Sequence, residues 1–276
     1  MISFLLTILA HAAPPQSPPA KADLAAAFAA ANRDAAAVVP LILEASRALP
    51  ALDERESMLL GDTLEPYCRR AFFGPERLPG MERLGLAVDV VKSGELPGRI
   101  AERRRIGAGM LRYLNDGYDE RRVAAGAKLK VLDLSTAKLS IVVDESAYRM
   151  RLWRAAADGT RVLVAQVPVG LGAAQSPTPA GSTRITKRVR NPEWTDPDTR
   201  QVFAPNDPRN ILGGYWIALD SEGIGKSGIG LHGFTGDVPA NWIERPASHG
   251  CVRMLQADID RVFHVALEGT AVELRP

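Results

Sequence analysis

The chain has 276 residues, 46% of them hydrophobic and 24% charged, with a formal net charge of +2 at pH 7. That length buries a full core and accommodates more than one domain. The near-balance of charge, with no basic stripe or base-stacking platform, excludes nucleic acid as the organising partner, and two cysteines, Cys68 and Cys251, are too few for a disulfide framework.

Met1 to Ala12 is an apolar run ending in Ala10-His11-Ala12. It reads as a secretory signal peptide over residues 1–13 that lacks the usual Lys or Arg of the n-region. The run is shorter than the about 20 apolar residues of a spanning helix. Export to the periplasm or cell envelope is the expectation, with the Pro-rich residues 14–20 as an extended spacer. Residues 21–87 read as a helical region. The Ala-rich stretch from Lys21 to Ala48 predicts two short helices separated at Pro40, and a third runs from Glu54 to Phe73 with Cys68 as a small buried residue.

Residues 88–133 change character. A β-branched strand at Val88 to Val91 is followed by a turn at Gly94, two short amphipathic helices split near Gly107, and a second strand at Lys128 to Leu132. This β-α-α-β order resembles a LysM domain, a small module of peptidoglycan-binding proteins. Where that family usually has Pro-Gly-Asp-Thr-Leu, this chain has Ser93-Gly94-Glu95-Leu96-Pro97, so the resemblance implies the fold and leaves sugar binding open. An upstream Gly61-Asp62-Thr63-Leu64 has no strand before it and is a chance match. Beyond Asp133 the alternation of apolar and polar residues, rich in Val and Ile, predicts half-buried antiparallel strands over 138–144, 149–154 and 161–170, with Asp158-Gly159 as a hairpin turn. One helix is predicted from Gln256 to Leu267, where Ile259, Val262, Phe263 and Ala266 fall at helical spacing.

The chemistry concentrates in Ser248-His249-Gly250-Cys251-Val252-Arg253-Met254 and in Leu231-His232-Gly233. A thiol attacks as thiolate, which needs a nearby base or positive field, and a neighbouring glycine lets a carbonyl approach the backbone N–H groups. Cys251 is therefore the candidate nucleophile. A zinc site built on His232, His249 and Cys251 is the competing reading, but one glycine between His249 and Cys251 is closer than usual ligand pairs, and no cofactor or metal is expected.

These motifs follow Gly170-Leu171-Gly172, Thr178-Pro179-Ala180-Gly181, Asn191-Pro192-Glu193-Trp194 and Asn210-Ile211-Leu212-Gly213 in order. Together they resemble an L,D-transpeptidase catalytic domain of the YkuD type over residues 138–274. The resemblance implies a mainly β domain, a YkuD-like β-sandwich with one C-terminal helix, preceded by the helical region and the LysM-like module. Departures are small: the family often has Asn-Pro-Leu-Gly at 210–213, and many members carry Asn where Arg253 stands.

In this reading His232 is the general base, since an unperturbed imidazole pKa of about 6.5 lets it take and return a proton near neutral pH. The resemblance implies that the residue after it orients the ring; Gly233 has no hydroxyl, so its carbonyl is the expected orienter. The N–H groups of Gly250 and Cys251 suit an oxyanion hole. His249 and Gly250 join the catalytic candidates, and Ser248, Gly233 and Arg253 are the substrate-binding candidates, with structural alternatives: His249 packing the loop, Ser248 capping it, and Arg253 fixing it through carbonyls instead of binding a substrate carboxylate.

The implied substrate is the peptidoglycan stem peptide, with glycan strands as a further partner and carbapenems as covalent inhibitors. Family members attack the bond after the third residue of a tetrapeptide, release D-Ala and pass the acyl group to an amine, forming a 3→3 cross-link. Water as acceptor would make the protein an L,D-carboxypeptidase. A non-catalytic cell-wall binder is the reading from a different class.

Overall fold

The computed structural model describes residues 21–235 and 242–276, so the expected signal segment and spacer lie outside the described residues. In chain order the helices are α1 (Lys21–Ala31), α2 (Val38–Ala48), α3 (Glu54–Phe72), α4 (Pro97–Arg104), α5 (Met110–Leu114) and α6 (Gln256–Val265). Strands β1 (Leu86–Val90) and β2 (Lys128–Leu132) enclose α4 and α5. The remaining strands are β3 (Lys138–Asp144), β4 (Arg149–Ala155), β5 (Arg161–Pro168), β6 (Leu171–Gly172), β7 (Gly181–Arg190), β8 (Trp194–Thr195) and β9 (Val202–Phe203). They continue with β10 (Tyr215–Leu219), β11 (Gly230–Gly233), β12 (Pro246–Ser248), β13 (Val252–Met254) and β14 (Ala271–Arg275). No helix among the described residues is long and apolar enough to cross a membrane.

The first helical break falls earlier than predicted. Asp34 caps a short 3-10 turn by accepting from the Ala36 N–H, and α2 starts at Val38, leaving Pro40 inside the first turn. A first-turn residue has no intrahelical acceptor for its N–H, so proline fits there without breaking the helix.

Eight strands form one sheet in the order β13-β11-β10-β7-β14-β3-β4-β5. The sandwich arises because the ten-residue β7 serves both halves: residues 181–184 pair with β14, and residues 185–190 pair with β10. The sheet then curls until its ends meet, as the Gly170 N–H donates to Arg253 O at 2.9 Å and the Arg253 N–H donates to Gly170 O at 2.8 Å. That closure brings the end of β5 to the strand that follows Cys251. Helix α6 packs on β10 and β11, with the Phe263 and Tyr215 rings 4.5 Å apart.

The helical region is welded to this sheet. Strand β5 is its outer strand, and α2 and α3 cover it by occupying backbone groups that would otherwise template aggregation. The Leu163 N–H donates to Ser46 Oγ at 2.9 Å, Leu163 O accepts from the Cys68 thiol at 3.3 Å, and the Gln166 N–H donates to Glu65 Oε2 at 2.9 Å. Glu65 also receives Arg261 of α6 at 2.8 Å, so α3 and α6 are tied through a buried ion pair. Burial raises the Glu65 pKa and Arg261 opposes the shift.

Residues 86–132 have the expected β-α-α-β order, with β1 and β2 antiparallel from Leu86↔Leu132 to Val90↔Lys128. This unit shares the same core. Fully buried Lys130 on β2 donates to the carbonyls of Ala71, Gly74 and Glu76 at 2.5–2.8 Å, satisfying orphan acceptors where α3 ends. The Gly107 N–H donates to His264 O at 2.9 Å, and a Cβ on Gly109 would lie 2.2 Å from the His264 ring, so the α4–α5 turn sits directly on α6.

Candidate active site

One face of four adjacent strands forms the floor of a cavity of about 720 Å³. Register explains which side chains share that face. Trp216 on β10 is opposite both Val189 on β7 and His232 on β11, and His232 is in turn opposite Arg253 on the parallel strand β13. Side chains alternate along a strand, so Cys251, two residues before Arg253, faces the same way. All five line the cavity. The walls come from the β7–β8 segment with Pro192, Glu193 and Trp194, from Ile211 and Leu212, and from Lys226 to Ile229. Buried Asn210 ties two of these walls, its Nδ2 donating to Pro192 O at 2.9 Å and its Oδ1 accepting from the Leu212 N–H at 3.1 Å.

His232 is buried, with Nδ1 2.5 Å from Gly233 O. A ring nitrogen that meets a carbonyl must carry the proton, which leaves Nε2 unprotonated and able to accept. Burial pushes the His232 pKa down to about 4, with Arg253 adding to the effect and the Gly233 carbonyl opposing it. The ring lies 5.6 Å from that of Trp216. Cys251 is half-buried, its Sγ 3.5 Å from Gly228 O. Burial raises its thiol pKa above the usual range, while the Gly230 N–H, Arg253 and Lys226 work in the other direction. The resting pair is thus a neutral thiol and a neutral imidazole.

Ser248 organises the turn. Its hydroxyl donates to Cys251 O at 2.6 Å and accepts from the Gly250 N–H at 3.1 Å. The expected pair of oxyanion donors is reduced accordingly: the Gly250 N–H is committed to holding the loop, which leaves the Cys251 N–H of the two. Gly250 has φ +110°, and a Cβ there would meet Lys226 Nζ at 2.7 Å. Arg253 is buried, donates to Ala247 O at 2.9 Å, and holds its guanidinium 4.1 Å above the Phe234 ring, with Nε unpaired.

His249 goes elsewhere. Its side chain is exposed and pairs through Nε2 with Asp198 at 3.2 Å, on the connection between β8 and β9. His232, His249 and Cys251 therefore do not converge as a zinc set would require, and no group of metal-holding side chains occurs among the described residues. Lys226 and Trp216 are the site residues that sequence reasoning passed over. Neither belongs to a recognisable motif, and each reaches the cavity through strand register or loop path.

Residues 138–274 match the family model YkuD, the L,D-transpeptidase catalytic domain. This part of the chain, just under half of it, is similar to a YkuD-type L,D-transpeptidase domain. A Bacillus licheniformis protein provisionally named L,D-transpeptidase YkuD is 26% identical over 189 residues, covering 67% of this chain and 97% of that relative. A Bacillus subtilis protein provisionally named L,D-transpeptidase YqjB is 27% identical over 104 residues, covering 38% of this chain and 55% of the relative's length. Among solved structures, an L,D-transpeptidase from Stackebrandtia nassauensis is 23% identical, with a TM-score of 0.35 over 50% of this chain and 57% of that one. L,D-transpeptidase 3 from Mycobacterium tuberculosis, solved with a faropenem-derived adduct, is 16% identical, with a TM-score of 0.39 over 55% and 66%. In the YkuD-like part of this chain, Cys251, His232, Gly233, Ser248, Gly250 and Arg253 are brought together, and His249 stands at the rim.

Proposed function

We propose that the protein is a peptidoglycan L,D-transpeptidase working through a Cys251 acyl-enzyme. The observation that carries this reading is the shared face of β11 and β13, which sets a half-buried thiol and a neutral imidazole with a fixed tautomer in one cavity. As Sγ attacks the carbonyl of the third stem residue, His232 Nε2 takes the thiol proton, and the Cys251 N–H faces the developing oxyanion. The imidazolium returns that proton to the leaving D-Ala nitrogen, and a thioester remains. An acceptor amine then attacks the thioester, gives its proton to His232 and displaces the thiolate, which is reprotonated as the amide forms. A second stem as acceptor yields a 3→3 cross-link; water yields the trimmed tripeptide.

This substrate implies export to the cell envelope. The β-α-α-β unit is assigned the glycan strand: an open hollow of about 890 Å³ against it is lined by Tyr118, Arg77 and Arg122, which can meet a saccharide. A carbapenem presents a strained amide carbonyl to the same thiol. Incubation of the full chain with a carbapenem, read by intact mass, should add one inhibitor mass to wild type and none to Cys251→Ala. Unmodified wild type would contradict the acyl-enzyme mechanism.

A further inference from the structure

Lys226, on the connection between β10 and β11, has no part in the roles assigned above. It lines the cavity beside Cys251, and its Nζ donates to three neutral oxygens: Ser176 Oγ at 2.9 Å, His249 O at 3.2 Å and Pro177 O at 3.4 Å. Ser176 Oγ also donates to His249 O at 2.9 Å, so the ammonium is fixed between the β6–β7 connection and the nucleophile loop. No carboxylate pairs with it among the described residues. An ammonium held on neutral oxygens keeps its whole charge, and half-buried it is screened less than a surface lysine. Gly250 is what lets it approach, because a side chain there would collide with Nζ.

The other charged or titratable groups around Cys251 are His232 on β11 and Arg253 on β13, with Glu193, Arg200 and His249 farther along the cavity wall. The Arg253 guanidinium is occupied with Ala247 O and the Phe234 ring. His232 is neutral at working pH, and Arg253, like Lys226, rests on neutral partners, so the positive field at the sulfur comes from Arg253 and Lys226 together.

We propose that Lys226 is a positioning residue that supplies fixed positive charge to the Cys251 site, favouring the thiolate and drawing anionic acyl donors to it. The inference deepens the cysteine acyl-transfer reading, and a stem peptide with free carboxylates is the kind of donor such a field selects. Its sign agrees with the lowering influence of Lys226 on the Cys251 thiol.

The test needs no peptidoglycan, so it can fail independently of the transpeptidase reading. Cys251 in the full chain is alkylated with neutral iodoacetamide and with anionic iodoacetate, the thiolate displacing iodide in each case. Peptide mapping assigns the adduct to Cys251 rather than to buried Cys68. Lys226→Met should lower the iodoacetate-to-iodoacetamide rate ratio about tenfold at low salt and move the alkylation midpoint to higher pH, while Lys226→Arg keeps both near wild type. Loss of the ratio difference in high salt is expected for wild type. An equal slowing of both reagents with an unmoved midpoint would show a merely structural tie. That result, or a Lys226→Arg variant that behaves like Lys226→Met while folded by circular dichroism, overturns the proposal.

Discussion

Gly250→Ala probes the nucleophile loop with a single added methyl group. At φ +110° the backbone is outside the region that L side chains adopt readily, and such strain costs about 1–3 kcal/mol when retained. The methyl would stand 2.7 Å from Lys226 Nζ, 3.0 Å from Ile229 Cδ1 and 3.3 Å from Pro177 O. The lysine end can swing away, whereas the Pro177 carbonyl is backbone, so relief requires the loop itself to move by a few tenths of an ångström or more. Cys251 is the next residue, and its N–H and Sγ move with the loop. A displacement approaching 1 Å at the reacting atom costs about 100-fold in rate. The expected outcome is a fall of a few degrees in the melting temperature with a loss of about 100-fold in acylation, followed by intact mass after mixing with a carbapenem. Gly250→Ala that acylates within threefold of wild type would refute the steric reasoning.

Three further outcomes follow. Ser248→Ala removes the tie between Cys251 O and the Gly250 N–H; because the hydroxyl is buried, the cost to stability is about 1–3 kcal/mol by denaturant titration, and acylation slows in parallel. The His232 pKa of about 4 lies below its unfolded value near 6.5, so between these pH values the unfolded chain binds more protons. Stability from this group is therefore complete above about pH 6.5 and lost as pH falls toward 4, and His264, also pushed down to about 4 by burial, adds in the same direction. A melting temperature that does not fall across that window would contradict the burial of a neutral His232. Glu65→Gln removes one of the two carboxylates that hold buried Arg261 and leaves Asp258, so the loss is about 1–3 kcal/mol; chemical denaturation reads it directly.

Much of the catalytic half was legible because short motifs carry backbone requirements. The Ser248 to Met254 run encodes a glycine at positive φ and a serine that closes the turn, and the apolar alternation of β3, β4 and β5 gave those strands within two residues. The seat of His249 was not legible, since adjacency to Cys251 says nothing of a side chain that turns outward to Asp198. Nor was the coupling of Trp216, His232 and Arg253, which depends on register between strands far apart in sequence. In the N-terminal half the element order could be read, but its attachment could not. Lys130 looks like an ordinary strand lysine until its ammonium is found inside the core, holding one carbonyl of the last turn of α3 and two just beyond it. Pro40 likewise marks a helix start only once the Asp34 cap before it is seen.

The account rests most directly on what the full chain does to a disaccharide tetrapeptide. Mass spectrometry of the products should show loss of D-Ala together with a new 3→3 linked dimer, and Cys251→Ala or His232→Ala should show neither. Wild-type protein that leaves the tetrapeptide intact, with Cys251 free and reactive toward iodoacetamide, would contradict it.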